Sequence, residues 1–340
     1  MSDTDFDLIV IGADDSAFPL LQRSAGSGQS VAAFLPQRRH PGSLVVQALR
    51  DLNLSLMSSQ SAMRQFRHAS PAPRLLRKLA CRAIHHQLVV QSRRLNRLGV
   101  QVYYGAPRFE PSESSGNHVL AWNSQQLTAR CVLLATGVCH VPLNPADVSE
   151  RFWRALIPSG YQHPLMRSLD EVFELPALPS RVIIFGGCET GFHVAVLLQL
   201  AGVDVTVLVE QSEDSAAFEM AEEAGVSIVS SIGCRAMNDP ECVVLDCRRI
   251  EGCSGHLNLQ EIGITPDESG RLWCGAGFET WCPNVFAIGP LVGFCTESAI
   301  TNEAAASRIL SRIQRLPRKP HLLRRYHGLG QLAGRPAEAV

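Results

Sequence analysis

Residues 181–211 read RVIIFGGCETGFHVAVLLQLAGVDVTVLVEQ. Residues 182–185 are an apolar run of strand length, and residues 192–200 are a longer apolar run that predicts a buried helix. Gly202 ends that helix, and residues 203–209 have the alternation of a second strand. Because strand–helix–strand connections are right-handed, the pattern predicts two neighbouring parallel strands covered by one helix.

A glycine-rich turn joins the first strand of this unit to its helix, and it contains Gly186, Gly187 and Gly191. Free backbone N–H groups at the positive end of a helix dipole bind a pyrophosphate, so the turn is a candidate dinucleotide site. Glu210 stands at the end of the second strand, where a carboxylate accepts both ribose hydroxyls and repels a 2′-phosphate. It favours NAD over NADP, unless Glu210 only ends a strand at the surface.

A weaker copy of the same unit begins the chain. Residues 7–11 form an apolar strand and residues 30–35 a second one, with a short helix between them. Of the glycine pattern that binds dinucleotides, only Gly12 and Ala17 remain. Asp14 stands at the central glycine position, where it adds bulk and negative charge next to a pyrophosphate. Two such units predict a mixed α/β protein with two dinucleotide-binding frames.

The composition is that of an ordinary α/β protein, with 340 residues, 46% hydrophobic residues and a formal net charge of −1. This length is sufficient for two or three domains. No run of about 18 apolar residues occurs, so no membrane span is expected. The acidic start lacks the basic region of a signal peptide, which predicts a cytoplasmic protein. Eleven scattered cysteines are then expected as reduced, mostly buried thiols.

Basic residues are concentrated in residues 64–108, a segment without any Asp or Glu. Such a segment is either a binding surface for nucleic acid, an acidic partner or a phosphate, or simply a solvated helix face. Few aromatic residues are interleaved with the basic ones and no nucleic-acid motif accompanies them, so the solvated helix face is favoured.

Several cysteines and a histidine crowd into a short segment: Cys234, Cys242, Cys247, Cys253 and His256. The segment contains no Cys-x2-Cys pair, so a zinc site is not expected. Cys139 follows the Thr136-Gly137 turn and is either near a cofactor or packed in the core. His193, in the predicted helix, either faces a nucleotide phosphate or packs against the sheet.

The chain resembles the pyridine nucleotide-disulfide oxidoreductases, which are flavoproteins with two dinucleotide sites. The segments that carry the resemblance stand in the family's order: residues 7–17, 135–137, 181–210 and 282–289. The long helix expected over residues 74–98 is similar to that of the soluble transhydrogenase and dihydrolipoamide dehydrogenase branch.

The resemblance implies two Rossmann-like domains, the second inserted into the first. Residues 1–150 and 265–320 would form the FAD-type domain, residues 165–264 the NAD(P)-type domain, and residues 321–340 a basic tail. The family's C-terminal interface domain is expected to be absent. The implied cofactor-binding residues are Gly12, Ala17, Thr136, Gly137 and Gly289 for FAD, with Gly186, Gly187, Gly191 and Glu210 for NAD or NADP.

Positions implied to matter most for redox chemistry differ from the family pattern. The family's Cys-x4-Cys disulfide aligns with Arg38 and Ser43, and neither side chain undergoes thiol–disulfide exchange. Pro290 replaces the aspartate implied to hold the ribityl chain, and Leu35 replaces the acid implied to hold a ribose. With Asp14 these changes argue against an ordinary FAD site.

Two hypotheses about function follow, and neither assigns a catalytic residue. One is a catalytically silent relative that binds at most one nucleotide or acts through a protein partner. The other is an active NAD(P)H:acceptor flavin oxidoreductase that does not use a disulfide. A third possibility is a regulatory role for the basic segment at residues 64–108.

Overall fold

The computed structural model describes residues 4–12, 16–36, 43–58, 61, 64, 66, 73–112, 116–141, 166–167, 175–209, 215–230, 242–248, 250–296 and 301–316. Several positions named above lie outside these ranges: Asp14, Arg38, Glu210, Cys234, most of the linker expected after residue 141, and the basic tail. Within the described residues, no helix has the length and apolar character needed to cross a membrane.

Six α-helices and sixteen strands make up the described part of the chain. The helices are α1 (Phe18–Gly26), α2 (Ser43–Met57), α3 (Pro73–Arg97), α4 (Glu189–Leu200), α5 (Ala216–Glu223) and α6 (Asn302–Arg315). The strands up to the second unit are β1 (Phe6–Ile11), β2 (Val31–Leu35), β3 (Gln101–Tyr104), β4 (Arg108–Glu110), β5 (His118–Trp122), β6 (Gln125–Leu134), β7 (Val138–His140) and β8 (Met166–Arg167). The remaining strands are β9 (Arg181–Phe185), β10 (Asp204–Leu208), β11 (Ser227–Val229), β12 (Cys242–Asp246), β13 (Ile250–Gly252), β14 (Leu272–Cys274), β15 (Val285–Ala287) and β16 (Val292–Cys295).

The first sheet has seven strands in the order β3-β2-β1-β6-β5-β4, with β15 paired to β6. The strands β1, β2, β3, β6 and β15 run parallel, whereas β5 pairs antiparallel with both β4 and β6. Every residue of β1 and β2 is buried, as expected for parallel strands covered on both faces.

The second sheet has the order β11-β10-β9-β12-β8, and all its pairs are parallel. Its strands come from residues between 166 and 246, whereas β15 of the first sheet follows them in the chain. The second unit is therefore inserted into the first, and the predicted architecture of two Rossmann-like units is confirmed.

The helix α4 is apolar around most of its circumference, and the structure buries it accordingly. Nine of its twelve residues are buried between the second sheet and α2, while Glu189 at its start is exposed. Leu49 of α2 and Leu76 of α3 join the same apolar cluster as Phe192. A helix without a polar face needs this environment, because exposure of its apolar side chains costs about 1.5–3 kcal/mol for each large one.

The turn residues Asp267-Glu268-Ser269-Gly270 are a sequence signal for a hairpin over residues 263–273, but the hairpin does not form. Asp267 and Gly270 make a tight turn in which the Gly270 N–H donates to the Asp267 carbonyl at 2.9 Å. The strand that follows, β14, pairs parallel with β16 instead of with the residues before the turn. A turn signal fixes only local geometry, and the partner of the following strand is chosen by tertiary packing.

Candidate functional site

The first glycine turn is held by a close approach of two backbone segments. Gly12 has φ +77°, and a Cβ atom there would lie 2.2 Å from the Ala135 carbonyl oxygen. Ala17, just before α1, is fully buried. Glycine at position 12 is therefore required by the fold itself, whether or not a nucleotide binds.

The segment at Thr136-Gly137 faces the same edge of the first sheet. The Thr136 hydroxyl oxygen is buried and has no hydrogen-bond partner among the described residues. Gly137 has φ +70°, and its carbonyl accepts a hydrogen bond from the Cys253 N–H at 3.0 Å. A buried hydroxyl without a partner costs stability, so the Thr136 side chain is a fitting contact for a ligand.

The third expected contact of this site is Gly289, which has φ +71° and follows β15. The register pairs Ile11 with Leu134 and Ala287 with Leu134, so Gly12, Thr136 and Gly289 all leave one edge of the sheet. Leu35 is fully buried and offers no polar group, and Pro290, the second residue of a short 3-10 turn (Gly289–Leu291), has no N–H to donate.

The second glycine turn is packed as tightly as the first. A Cβ atom at Gly186 would lie 2.6 Å from Cγ of Arg248, and one at Gly187 would lie 2.8 Å from a methyl group of Val209. At Gly191 it would lie 2.9 Å from the sulfur of Cys247. All three glycines are thus needed to let β9, β10, β12 and α4 approach one another.

Cys188 occupies the N-terminus of α4. It is the N-cap residue, and its sulfur accepts a hydrogen bond from the Gly191 N–H at 3.3 Å. The first N–H groups of a helix are also the donors that bind a pyrophosphate. In this structure the Cys188 side chain therefore uses a donor that a dinucleotide would require.

Cys188 is surrounded by groups that stabilise its thiolate. A hydrogen bond with the Cys247 side chain is the largest contribution, and Nε2 of His140 lies 3.7 Å away. These two contacts, the positive charge of His140 and the Gly191 N–H outweigh burial and lower the pKa of Cys188 to about 5.

Cys247 has the opposite character. Its sulfur is almost fully buried and lies 3.0 Å from the Phe185 carbonyl oxygen and 2.8 Å from that of Gly186. The hydrogen bond to Cys188, then burial, then the charge of Cys188 raise the pKa of Cys247 far above its usual range. The Cys247 thiol is the donor to these two carbonyl oxygens, which favours its protonated form.

A second thiol pair lies on the antiparallel ribbon of β7 and β13. Cys139 faces Glu251 in that register, and the thiol of Cys253 is hydrogen-bonded to the sulfur of Cys139. This bond, together with burial, raises the pKa of Cys253 well above its usual range. Cys139 therefore lies beside the Gly137 turn and is packed against another thiol.

Comparisons with known proteins agree with this architecture. No family model matches the chain. It is 24% identical over 328 residues to the soluble pyridine nucleotide transhydrogenase of Chromohalobacter salexigens, covering 85% of this chain and 67% of that protein. It is 22% identical to the enzyme of the same description from Pseudomonas putida, covering 89% of this chain and 69% of the relative.

Solved structures share the fold. The crystal structure of LpdA from Mycobacterium tuberculosis matches with a TM-score of 0.56 at 18% identity. The match covers 90% of this chain and 71% of the LpdA chain. The HOCl-induced flavoprotein disulfide reductase RclA of Escherichia coli has a TM-score of 0.53 at 15% identity, with 93% and 72% covered. The similarity to the transhydrogenases supports the resemblance to the pyridine nucleotide-disulfide oxidoreductases.

The chain is thus similar to FAD/NAD(P)-dependent oxidoreductases. The structure brings most of the predicted site residues together in two groups. One group lies at the edge of the first sheet: Gly12, Ala17, Thr136, Gly137 and Gly289. The other, Gly186, Gly187 and Gly191, forms the turn before α4, while Glu210 lies outside the described residues. Their roles in binding remain predictions.

His193 is buried against the rest of the fold. It is 1% exposed, and neither ring nitrogen has a hydrogen-bond partner among the described residues. Burial, followed by the charge of Arg50, lowers the pKa of His193 to about 4, so the ring is neutral. Its carbonyl accepts a hydrogen bond from the Asn53 amide at 2.9 Å, which fixes α4 against α2.

Metal ligands do not converge in the part of the chain that the structure describes. No group of three or more His, Cys, Asp or Glu residues there is placed to hold an ion. Cys242 is within β12 and Cys247 follows it, while Cys253 contacts Cys139 instead.

The functional cluster that sequence reasoning missed is Cys188, Cys247 and His140. A signal for it exists in the sequence, because Cys188 follows the end of one predicted strand and Cys247 follows the end of another. The register of β9 with β12 pairs Phe185 with Asp246, which places the following residues side by side. That pairing between strands distant in sequence was not predicted.

Proposed function

We propose that this chain is a dinucleotide-binding member of its family that does not carry out disulfide exchange at the family position and is catalytically silent as a flavin-linked oxidoreductase. The observation that carries the proposal is the absence of thiols at the relay positions. Arg38 and Ser43 align there, and the first cysteine of the sequence is Cys81. Without two thiols at this point, electrons cannot pass from a reduced flavin to a disulfide.

The first site fits FAD only in part. Gly12 allows the close backbone approach that a pyrophosphate site uses, and the Thr136 hydroxyl lacks a partner among the described residues. Leu35 and Pro290 provide no hydrogen-bonding side chain where the resemblance implies contacts to the ribose and the ribityl chain. The cost of burying unpaired FAD hydroxyls there, about 1–3 kcal/mol each, would weaken binding by several orders of magnitude.

The second site fits a nicotinamide dinucleotide better. Its glycine turn precedes a long buried helix, and the helix dipole favours an anion at Cys188. A nucleotide would have to displace the Cys188 sulfur from the Gly191 N–H. Selectivity for NAD over NADP through Glu210 is part of the proposal.

The domain division and the location of the protein are proposed with the function. Residues 1–150 and 265–320 would carry the FAD-type frame, residues 165–264 the NAD(P)-type frame, and residues 321–340 a basic tail. We place the protein in the cytoplasm, where its cysteines stay reduced. The basic segment at residues 64–108 is proposed to be a solvated surface, since its described Lys and Arg side chains are mostly exposed.

An absorbance spectrum of the purified full chain tests the proposal directly. We expect no flavin band, no band retained after FAD is added and removed by gel filtration, and no steady oxidation of NADH with a dye acceptor. NADH binding, measured by its fluorescence, is expected and should be lost in Gly191→Val, with Gly255→Val as the matched control on an exposed turn without a positive φ. A retained flavin band that NADH bleaches would refute the proposal.

The unpartnered Thr136 hydroxyl favours a second candidate, an active NAD(P)H:acceptor flavin oxidoreductase without a disulfide. This candidate predicts a flavin absorbance band that remains after gel filtration and is bleached by NADH. It also predicts that Thr136→Val weakens FAD binding, whereas a silent protein should not respond to that change.

A further inference from the structure

Two sulfur atoms and an imidazole meet at the carboxyl edge of the second sheet. The strands β9 and β12 are parallel neighbours, so the residues that follow Phe185 and Asp246 leave the sheet together. A Cβ atom at Gly191 would touch both sulfurs, at 2.9 Å for Cys247 and 3.4 Å for Cys188. Glycine at position 191 therefore leaves the space in which the two sulfurs face each other.

The two cysteines differ in exposure in the way that a reacting thiol and a resolving thiol differ. Cys188 is half-buried, and three contacts stabilise its thiolate: the Cys247 thiol, the Gly191 N–H at 3.3 Å, and the His140 ring at 3.7 Å. Cys247 is 1% exposed and keeps its proton. A reagent from solution therefore meets Cys188 first.

We propose that Cys188 and Cys247 form a reversible oxidation site for hydrogen peroxide, separate from the family's Cys-x4-Cys position. The Cys188 thiolate attacks one peroxide oxygen, the O–O bond breaks, and the departing hydroxide takes a proton to become water. The product is a sulfenic acid at Cys188, reached by a two-electron oxidation of the sulfur.

Cys247 then completes the reaction. Its sulfur attacks the sulfenic sulfur, the S–S bond forms and the S–O bond breaks, and the hydroxyl leaves as water with the proton of the Cys247 thiol. In sum, two thiols and one peroxide give one disulfide and two waters. A dithiol such as dithiothreitol reverses the step by thiol–disulfide exchange. The reaction requires neither flavin nor nicotinamide, but a bound dinucleotide would compete with Cys188 for the Gly191 N–H, so the test uses nucleotide-free protein.

Two other cysteines serve as references within the same molecule. Cys81 lies exposed on α3, and Cys131 is fully buried in β6, where burial raises its pKa to about 12. At pH 5.5 an ordinary thiol is ~0.1% thiolate, whereas most of Cys188 is thiolate. Since a thiolate of low pKa is also a weaker nucleophile, we expect Cys188 to react about tenfold faster than Cys81, and Cys131 not to react.

The test is a peptide map of the full chain. Reduced protein is treated with one equivalent of hydrogen peroxide at pH 5.5, alkylated, digested and analysed by mass spectrometry without reduction. We expect a Cys188–Cys247 cross-linked peptide that disappears with dithiothreitol. In Cys247→Ser, dimedone should label Cys188, and in Cys188→Ser, Cys247 should remain unmodified.

Oxidation of Cys188 no faster than Cys81, or a cross-link from Cys188 to another cysteine, would overturn the proposal. The peptide map of the wild-type chain tests the proposal even if one of the variants does not fold. A flavin band in the same preparation would refute the proposed function without bearing on the thiol pair, so the two failures are distinguishable.

Discussion

Gly12 and Gly28 form a matched pair that separates backbone strain from steric clash. Both are in the left-handed region, at φ +77° and φ +76°. A Cβ atom at Gly12 would lie 2.2 Å, 2.6 Å and 2.8 Å from backbone atoms of Ala135 and Thr136. At Gly28 it would meet nothing within 4 Å. Backbone atoms cannot rotate away, so at Gly12 one of the two strands must move.

The expected losses of unfolding free energy differ accordingly. Left-handed backbone costs an alanine about 1–2 kcal/mol, and this applies to Gly12→Ala and Gly28→Ala equally. The clash at Gly12 adds about 1–3 kcal/mol, as overpacking does elsewhere. We therefore expect a loss of about 1–2 kcal/mol for Gly28→Ala and about 2–5 kcal/mol for Gly12→Ala, which lowers the melting temperature by about 2 °C and about 5 °C.

Urea and thermal unfolding, followed by tryptophan fluorescence, measure both losses. Trp122 is a local reporter, because its ring packs against Phe34 and Tyr103 on the first sheet, at centroid distances of 5.8 Å and 5.0 Å. Equal losses for the two variants would refute the argument. They would mean that the ends of β1 and β6 separate at little cost, so that Gly12 is not required for packing.

Three further predictions concern packing and charge. Asp7→Asn should lower the free energy of unfolding in urea by about 3–5 kcal/mol, because it leaves the buried guanidinium of Arg130, 2.7 Å away, without its carboxylate. Asp204→Asn breaks a largely exposed ion pair with Arg181 and should lower it by less than about 1 kcal/mol. Gly191→Ala should cost about 1–3 kcal/mol and recover in part when Cys247→Ala removes the sulfur 2.9 Å away; no recovery would contradict the contact. Iodoacetamide should alkylate Cys188 at a rate that falls only as the pH drops through about 5, since its thiolate persists above that pH; a midpoint near 8.5 would contradict the depressed pKa.

Local sequence patterns were sufficient for the two strand–helix–strand units. Residues 182–185 are an unbroken apolar run, and a parallel strand buried on both faces requires that run. The pattern failed at residues 263–273, where a real turn at Asp267 suggested a hairpin. There the parallel partner of β14 comes twenty residues later, at β16. Pairing between strands that far apart in the sequence depends on tertiary packing, which a short sequence segment does not specify.

For the candidate site too, the sequence indicated some residues and only the structure showed their contacts. Glycines at positions 12, 186 and 191 mark both turns in the sequence, although the structure gives each a packing reason that the pattern does not express. Cys188 was visible only as a departure from the glycine pattern. Its depressed pKa depends on Cys247 and His140, which lie 59 and 48 residues away in the sequence.

The sequence by itself determined the family resemblance, the order of the two units and the lack of thiols at Arg38 and Ser43, because these are properties of residue identity and spacing along one chain. Only the tertiary structure decided which thiols meet. The register of β9 with β12 brings Cys247 to the N-terminus of α4, and β7 brings His140 to the same point. A thiolate is stabilised by whatever lies within hydrogen-bonding distance, and that distance is set by strand pairing between segments far apart in the chain.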